Sequence, residues 1–308
     1  MYLSLSECAA QAWIKDKSIS RAESFDLIRG AGFTHVDVNL ADFGENMNAT
    51  YLRNALKEAG LTPSMSHAPD GYVLRNDPEK VVKVYTDTFR FCAEAGFPIT
   101  VLHPIARPGN TREEFFDMNK RVIDRLIPVI EETGVTAALE NIGNYADPIY
   151  LWNGNDLRYY INLFSHPQIK ACWDVGHANH FKIEDNEQYS SVTTLGDKLC
   201  CLHVHDNCGY FEDSYLHHRI DMHMSPFASC KTSVNYDALM QGLKDINYTG
   251  TFNFEVAGFA DSMRAPFVYN GQVVTRLEKL PIRIWQMYMA ALYETGKYML
   301  ETYNMFEG

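Results

Sequence analysis

The chain has 308 residues, 46% hydrophobic and 21% charged, proportions of a globular protein with a sizeable core rather than of a disordered or fibrous one. With 27 Lys and Arg against 39 Asp and Glu, the net charge is −12, which disfavours a nucleic-acid partner. No apolar run reaches membrane-spanning length and residues 1–15 carry no signal-peptide pattern, so a cytoplasmic protein with no membrane partner is expected. The seven cysteines contain no Cys-x-x-Cys pair, and they read as buried thiols rather than as a disulfide framework or zinc ribbon.

In chain order, short β-rich runs alternate with longer helical patterns. A strand at 2–6 leads to a helix at 20–31, one at 35–39 to a helix at 50–59, and one at 62–66 to a helix at 81–96. The strand at 99–103 leads to a helix at 112–134, and that at 136–140 to a helix near 156–164. After the strand at 169–174 the connection is less regular, with a short helix expected within 183–195. A strand at 199–205, a helix at 236–246 and a strand at 251–255 complete the series. Gly30, Gly60, Gly96 and Gly134 fall at helix ends, where a left-handed cap is wanted. Residues 282–303 form a final amphipathic pattern rich in Trp, Tyr and Met, expected to pack its aromatic face on the domain. Eight strands alternating with helices predict a single α/β domain over 1–308, a (β/α)8 TIM barrel with residues 276–308 as a C-terminal helical extension.

The ends of the strands carry the chemistry. From the third strand onward they deliver His67, His103, Glu140, Asp174 followed by His177, then His203 with His205, and Glu255. In a barrel those edges converge on one mouth, so side chains far apart in sequence meet. Imidazoles and carboxylates without thiolates suit Zn²⁺ or Mn²⁺, and Mg²⁺ less well. Glu140, Asp174 and Glu255 are also too many anions to gather without a cation. Asp221-Met222-His223 adds two ligand-type residues at i and i+2, directed to one side where the chain is extended. Trp173 and Phe254 each precede a site residue on its strand and are expected to point the other way, into the core.

This pattern, from the first strand to Glu255, resembles the xylose isomerase-like barrel superfamily, which includes sugar and sugar-phosphate isomerases and epimerases and the type IV apurinic endonucleases. The resemblance implies one divalent metal, zinc first and manganese or magnesium as alternatives, held by Glu140, Asp174, His203 and Glu255, with His205 able to exchange roles with His203. In the endonuclease branch it implies two further zinc ions, one on His67 and His103 and one on His177, Asp221 and His223. The stretches Trp-Asp-Val-Gly-His-Ala-Asn at 173–179 and Leu-His-Val-His-Asp-Asn at 202–207 are more similar to the isomerase branch. A Pro-Gly-x-Gly loop expected after His223 is missing from 224–231.

The resemblance thus implies a metal-dependent isomerase or epimerase of a small carbohydrate. Glu140 and Glu255 would transfer protons beside a metal-polarised carbonyl, and His205, Asn141 and Tyr72 would contact the substrate. No Gly-rich phosphate cradle is present, which favours a free sugar over a sugar phosphate. A multi-zinc phosphodiesterase similar to the apurinic endonucleases and a non-catalytic metabolite-binding barrel are the alternatives. A homo-oligomer is an open expectation.

Overall fold

The computed structural model describes all residues except 41–47, 70–76, 143–149, 182–186, 210–220, 228–233, 258–266, 275–280 and 308. Its elements run β1 (Leu3–Ser6), α1 (Gln11–Lys15), α2 (Arg21–Gly30), β2 (His35–Asn39), α3 (Ala49–Ala59), β3 (Thr62–His67) and α4 (Pro78–Ala95). They continue β4 (Ile99–Leu102), α5 (Arg112–Thr133), β5 (Thr136–Glu140), α6 (Gly154–Asn162), β6 (Ile169–Asp174), α7 (Val175–Asn179) and α8 (Glu187–Leu195). The chain ends with β7 (Leu199–His203), α9 (Tyr236–Asp245), β8 (Phe252–Phe254), a hairpin of β9 (Phe267–Tyr269) and β10 (Gln272–Val274), and α10 (Ile282–Thr302).

Strands β1 to β8 form one parallel sheet in the order β7-β6-β5-β4-β3-β2-β1-β8. A further parallel bridge between Val204 and Phe254 joins its edges. There Val204 N donates to Asn253 O at 2.8 Å and Glu255 N donates to Val204 O at 3.0 Å. Ring closure satisfies backbone groups that an open sheet would leave exposed. This is the (β/α)8 TIM barrel expected from the alternation of elements.

Local chemistry explains the helix limits. Ser20 and Glu23 form a capping box at the start of α2, and Thr111 and Glu114 form another at the start of α5. Gly60, Gly96 and Gly134 take the left-handed cap conformation, but α2 runs through Gly30 and the left-handed turn falls on Gly32. A Cβ on Gly32 would stand 2.9 Å from the Tyr293 ring of α10, so close packing fixes the glycine there as well. The C-terminal helix also sends Trp285 Nε1 to Ala9 O at 2.8 Å and lays Gly296 against Leu3 and Phe254.

The strands are buried on both faces. Met65, Val101, Ala138, Cys172 and Cys201 form a small cluster inside the ring, separate from the large core between sheet and helices. Leu102, Leu139, Trp173, Leu202 and Phe254 belong to that outer core, as the alternation of strand side chains requires.

Candidate metal centre

Because side chains alternate along a strand, the residue two beyond an inward-facing one also faces the barrel axis. Two residues beyond Met65, Val101, Ala138, Cys172 and Cys201 stand His67, His103, Glu140, Asp174 and His203. The apolar plug is therefore capped by a layer of imidazoles and carboxylates at the C-terminal mouth, joined by Glu255 just after β8. His205, two beyond His203, continues upward on the same side.

Glu140, Asp174, His203 and Glu255 each offer one ligand atom, all within 4.8 Å of one another. His203 Nδ1 is the hub, 2.6 Å from Glu140 Oε1, 3.2 Å from Glu255 Oε2 and 3.9 Å from Asp174 Oδ2. On one flank, His67, His103 and Glu140 form a second group, with His103 Nε2 2.6 Å and His67 Nε2 3.7 Å from Glu140 Oε2. On the other flank, His177, His205, Asp221 and His223 form a third. Asp174 faces both the inner and the outer group, since His205 Nε2 lies 3.1 Å from its Oδ1. The geometry thus separates the two histidines at the end of β7: His203, its last residue, sits in the inner group and His205, two residues on, in the outer one.

The hydrogen bonds of the rings show what these groups suit. His67 Nδ1 donates to Ala68 O at 2.9 Å, His177 Nδ1 to Asn141 O at 2.9 Å and His223 Nδ1 to Glu255 O at 2.8 Å. A carbonyl oxygen only accepts, so each neutral ring carries its proton on Nδ1 and turns the Nε2 lone pair into a cluster. Metal-binding histidines are oriented in this way. Together the groups bring six imidazoles and four carboxylates, and among the described residues the one thiol beside them is Cys172, near Glu140 and His203; such a set fits zinc or another divalent ion.

The charges depend on one another. Burial favours the neutral Glu140 carboxyl, but His203 and His103 outweigh it and hold Glu140 well below the usual carboxylate range. Asp174 is held at about 2: burial opposes its charge, while His177 and His205 favour it. Burial likewise opposes charge on His177, yet Asp174 and Asp221 raise it to about 10. His203 is raised by Glu255 and Glu140 against its burial, and His223 by Asp221 and Glu255 against its own. Without a cation, protons on the imidazoles balance the carboxylates.

Two further expected site residues, Asn141 and Tyr72, and a histidine beside the site, His180, need separate account. Asn141 is fully buried, and its amide clamps β5 to β6: Nδ2 donates to Asp174 O and Oδ1 accepts from Asp174 N, both at 2.8 Å. This use ties up the groups expected to meet a sugar hydroxyl and makes Asn141 a support for Asp174. Tyr72 lies outside the described residues. His180 is buried beside His177, with burial lowering it to about 3, so it is neutral.

Sequence reading passed over Asp37, whose Oδ2 lies 3.9 Å from His203 Nε2 on the far side of that ring. The signal was present in His-Val-Asp-Val-Asn: two valines packed in the outer core leave the aspartate between them facing the barrel axis. Reading only strands three to eight for polar ends missed it.

The family model described as xylose isomerase-like TIM barrel matches residues 25–266. An uncharacterised protein of Sinorhizobium fredii, y4fM, is 25% identical over 276 residues, covering 75% of this chain and 79% of that protein. Among solved structures, a D-tagatose 3-epimerase-like protein superposes with a TM-score of 0.72 at 18% identity, covering 99% of this chain and 98% of that one. A D-psicose 3-epimerase from Clostridium cellulolyticum H10, solved with D-tagatose, gives a TM-score of 0.70 at 14% identity, covering 97% and 99%. Among the described residues, no helix is long and apolar enough to cross a membrane.

Proposed function

This chain belongs to the xylose isomerase-like TIM barrel family, and from that premise we propose that it is a divalent-metal-dependent isomerase or epimerase of a small sugar. The observation that carries the reading is the placement of Glu140 and Glu255. They come from β5 and from the end of β8, yet they approach the same nitrogen, His203 Nδ1, at 2.6 and 3.2 Å. Two carboxylates reaching one point from different strands suit proton removal on one face of a carbon and return on the other.

Glu140, Asp174, His203 and Glu255 would hold the ion, zinc first and manganese or magnesium as alternatives. When bound, it supplies Lewis-acid polarisation of a substrate carbonyl. The two glutamates then divide the work unequally. Glu140 is fully buried and paired with His103 and His203, whereas Glu255 keeps about a tenth of its side chain exposed. Glu255 is therefore assigned removal of the proton beside the carbonyl, and Glu140 its return. His67, His103, His177, Asp221 and His223 stand as further metal ligands in this reading.

The test is a panel of ketoses incubated with metal-loaded protein in deuterated water. Deuterium at the epimerised carbon is expected, with turnover falling by about two to four orders of magnitude in Glu140→Gln and Glu255→Gln. Product formation without solvent deuterium, or unchanged rates in both variants, would remove the proton-transfer assignment.

One observation favours a second reading. The groups flanking the inner set could hold additional ions, as a multi-zinc phosphodiesterase requires. The net charge of −12 weighs against a DNA substrate. Cleavage of an abasic-site duplex, with every ketose left unchanged, would replace the sugar reading by this one.

A further inference from the structure

We infer that Trp152, Phe181 and Phe227 form an aromatic rim that receives a flat apolar substituent of the substrate. The sugar acted on is then an aryl glycoside rather than a bare monosaccharide. This rests on the sugar reading above and narrows its substrate class.

In a barrel the connections that follow the strands surround the mouth, and ligands are held there. The segments that follow β5, β6 and β7 each set an aromatic ring on that rim. Trp152 ends the β5–α6 connection, where Ile142 N donates to Leu151 O at 2.7 Å and brings the chain back beside Asn141. Phe181 stands just after α7, its N–H donating to Ala178 O at 3.3 Å. The two rings stack, with centroids 4.7 Å apart and planes at 25°, and both are half-buried. Phe227, in the β7–α9 connection, is 60% exposed and lies 5.2 Å from the ring of Tyr236, whose hydroxyl donates to His205 O at 3.3 Å.

These rings stand on backbone that is tied to the metal layer. The Asn141 amide grips the backbone of Asp174, and His177 N donates to Asp174 Oδ1 at 2.6 Å. A platform prepared in this way loses little freedom when a ligand arrives. Core packing does not account for Phe227, a large ring mostly in solvent. Its backbone is also left-handed, φ 63°, a strain that costs energy in a residue with a side chain and clusters at ligand sites.

The chemistry changes from the floor of the mouth to its rim. Imidazoles and carboxylates form the floor, and aromatic rings stand above it. A ligand with a polar ring at one end and an apolar ring at the other matches that order. Aromatic faces favour offset stacking of another flat ring and bury a large apolar area with it.

The test is titration of the full-length protein with phenyl and methyl glycosides of glucose, galactose and mannose. Calorimetry gives the affinities, and acrylamide quenching of tryptophan emission gives the contact. Trp13, Trp173 and Trp285 are 4%, 0% and 1% exposed, so the quenchable emission belongs to Trp152. A phenyl glycoside is expected to shield Trp152 and to bind about ten- to a hundredfold more tightly than its methyl counterpart, the gain from burying one aromatic ring. Phe181→Ala keeps the reporter and should lower that preference about tenfold. Phe227→Ala, at a side chain mostly in solvent, serves where the first variant is unstable. Phenyl and methyl glycosides bound alike, Trp152 left open to acrylamide, or a preference untouched by both substitutions would overturn the rim. The ketose panel reads the reaction separately. Ketose turnover without a phenyl preference keeps the isomerase or epimerase and removes the rim, whereas a phenyl preference with no sugar turned over keeps the rim and removes the reaction.

Discussion

His67 Nε2 and His103 Nε2 face each other at 3.1 Å. The proton of neutral His67 is on Nδ1, bonded to Ala68 O, so its Nε2 presents a lone pair. His103 Nε2 is 2.6 Å from Glu140 Oε2 and must carry the proton that this contact needs. A cation bound between these groups therefore has to displace a proton.

From this follows a proton count for metal uptake. His177, raised to about 10, is also protonated near neutral pH in metal-free protein, and a ligand must be deprotonated. Zinc added to stripped protein at about pH 7 should release one or more protons per ion, and apparent affinity should rise with pH. Calorimetry in two buffers of different ionisation enthalpy measures the count. Uptake with no proton released would mean that the ligands lie elsewhere.

The same charges set the pH dependence of metal-free stability. His177 moves from 6.5 to about 10 on folding, so its contribution is complete below 6.5 and lost as pH rises through 10. Asp174 moves from 3.8 to about 2, so its contribution is complete above 3.8 and lost as pH falls through 2. Thermal unfolding of stripped protein should show a plateau between those limits and a decline on the alkaline side that bound metal suppresses. A melting temperature that rises from pH 6.5 to 10 without metal would contradict the His177 assignment.

Gly176→Ala tests the seat of His205. The added methyl would meet His205 Nδ1 at 2.3 Å, too close for both to stay in place. We expect a folded protein whose metal binds about tenfold or more weakly, since His205 pairs with Asp174 of the inner set and a displaced partner no longer orients it. Unchanged metal affinity would show that the position of His205 is immaterial.

Asp37→Asn tests orientation from behind. Asp37 is fully buried, and His203 Nε2 is a buried atom with no hydrogen-bond partner among the described residues. A carboxylate on that side favours the tautomer that turns the Nδ1 lone pair towards Glu140, Asp174 and Glu255. The variant should bind the inner metal about ten- to a hundredfold more weakly, with little change in the thermal unfolding of stripped protein. A large fall in melting temperature alongside the lost affinity would indicate general disruption.

The barrel was legible in the sequence because strands covered on both faces read as short apolar runs, and capped helices separate them. The convergence of His67, Glu140, Asp174, His203 and Glu255 was legible because strand ends in a barrel share one mouth. What stayed hidden depends on tertiary direction. Periodicity cannot show that Asn141 turns to the backbone of Asp174, or that His205 leans on Gly176 towards Asp221. The strands at 199–205 and 251–255 were read too long, since pairing ends at His203 and Phe254 apart from the single bridge at Val204. The short α7 was unforeseen because Asp174 serves both as a strand end and as its N-cap, accepting from His177 N at 2.6 Å.

The most direct measurement is elemental mass spectrometry of protein purified without chelator, before and after dialysis against one. The account predicts at least one divalent ion per chain, held by Glu140, Asp174, His203 and Glu255 and removed by the chelator. A chain that holds no zinc or manganese, even after reconstitution, would contradict it.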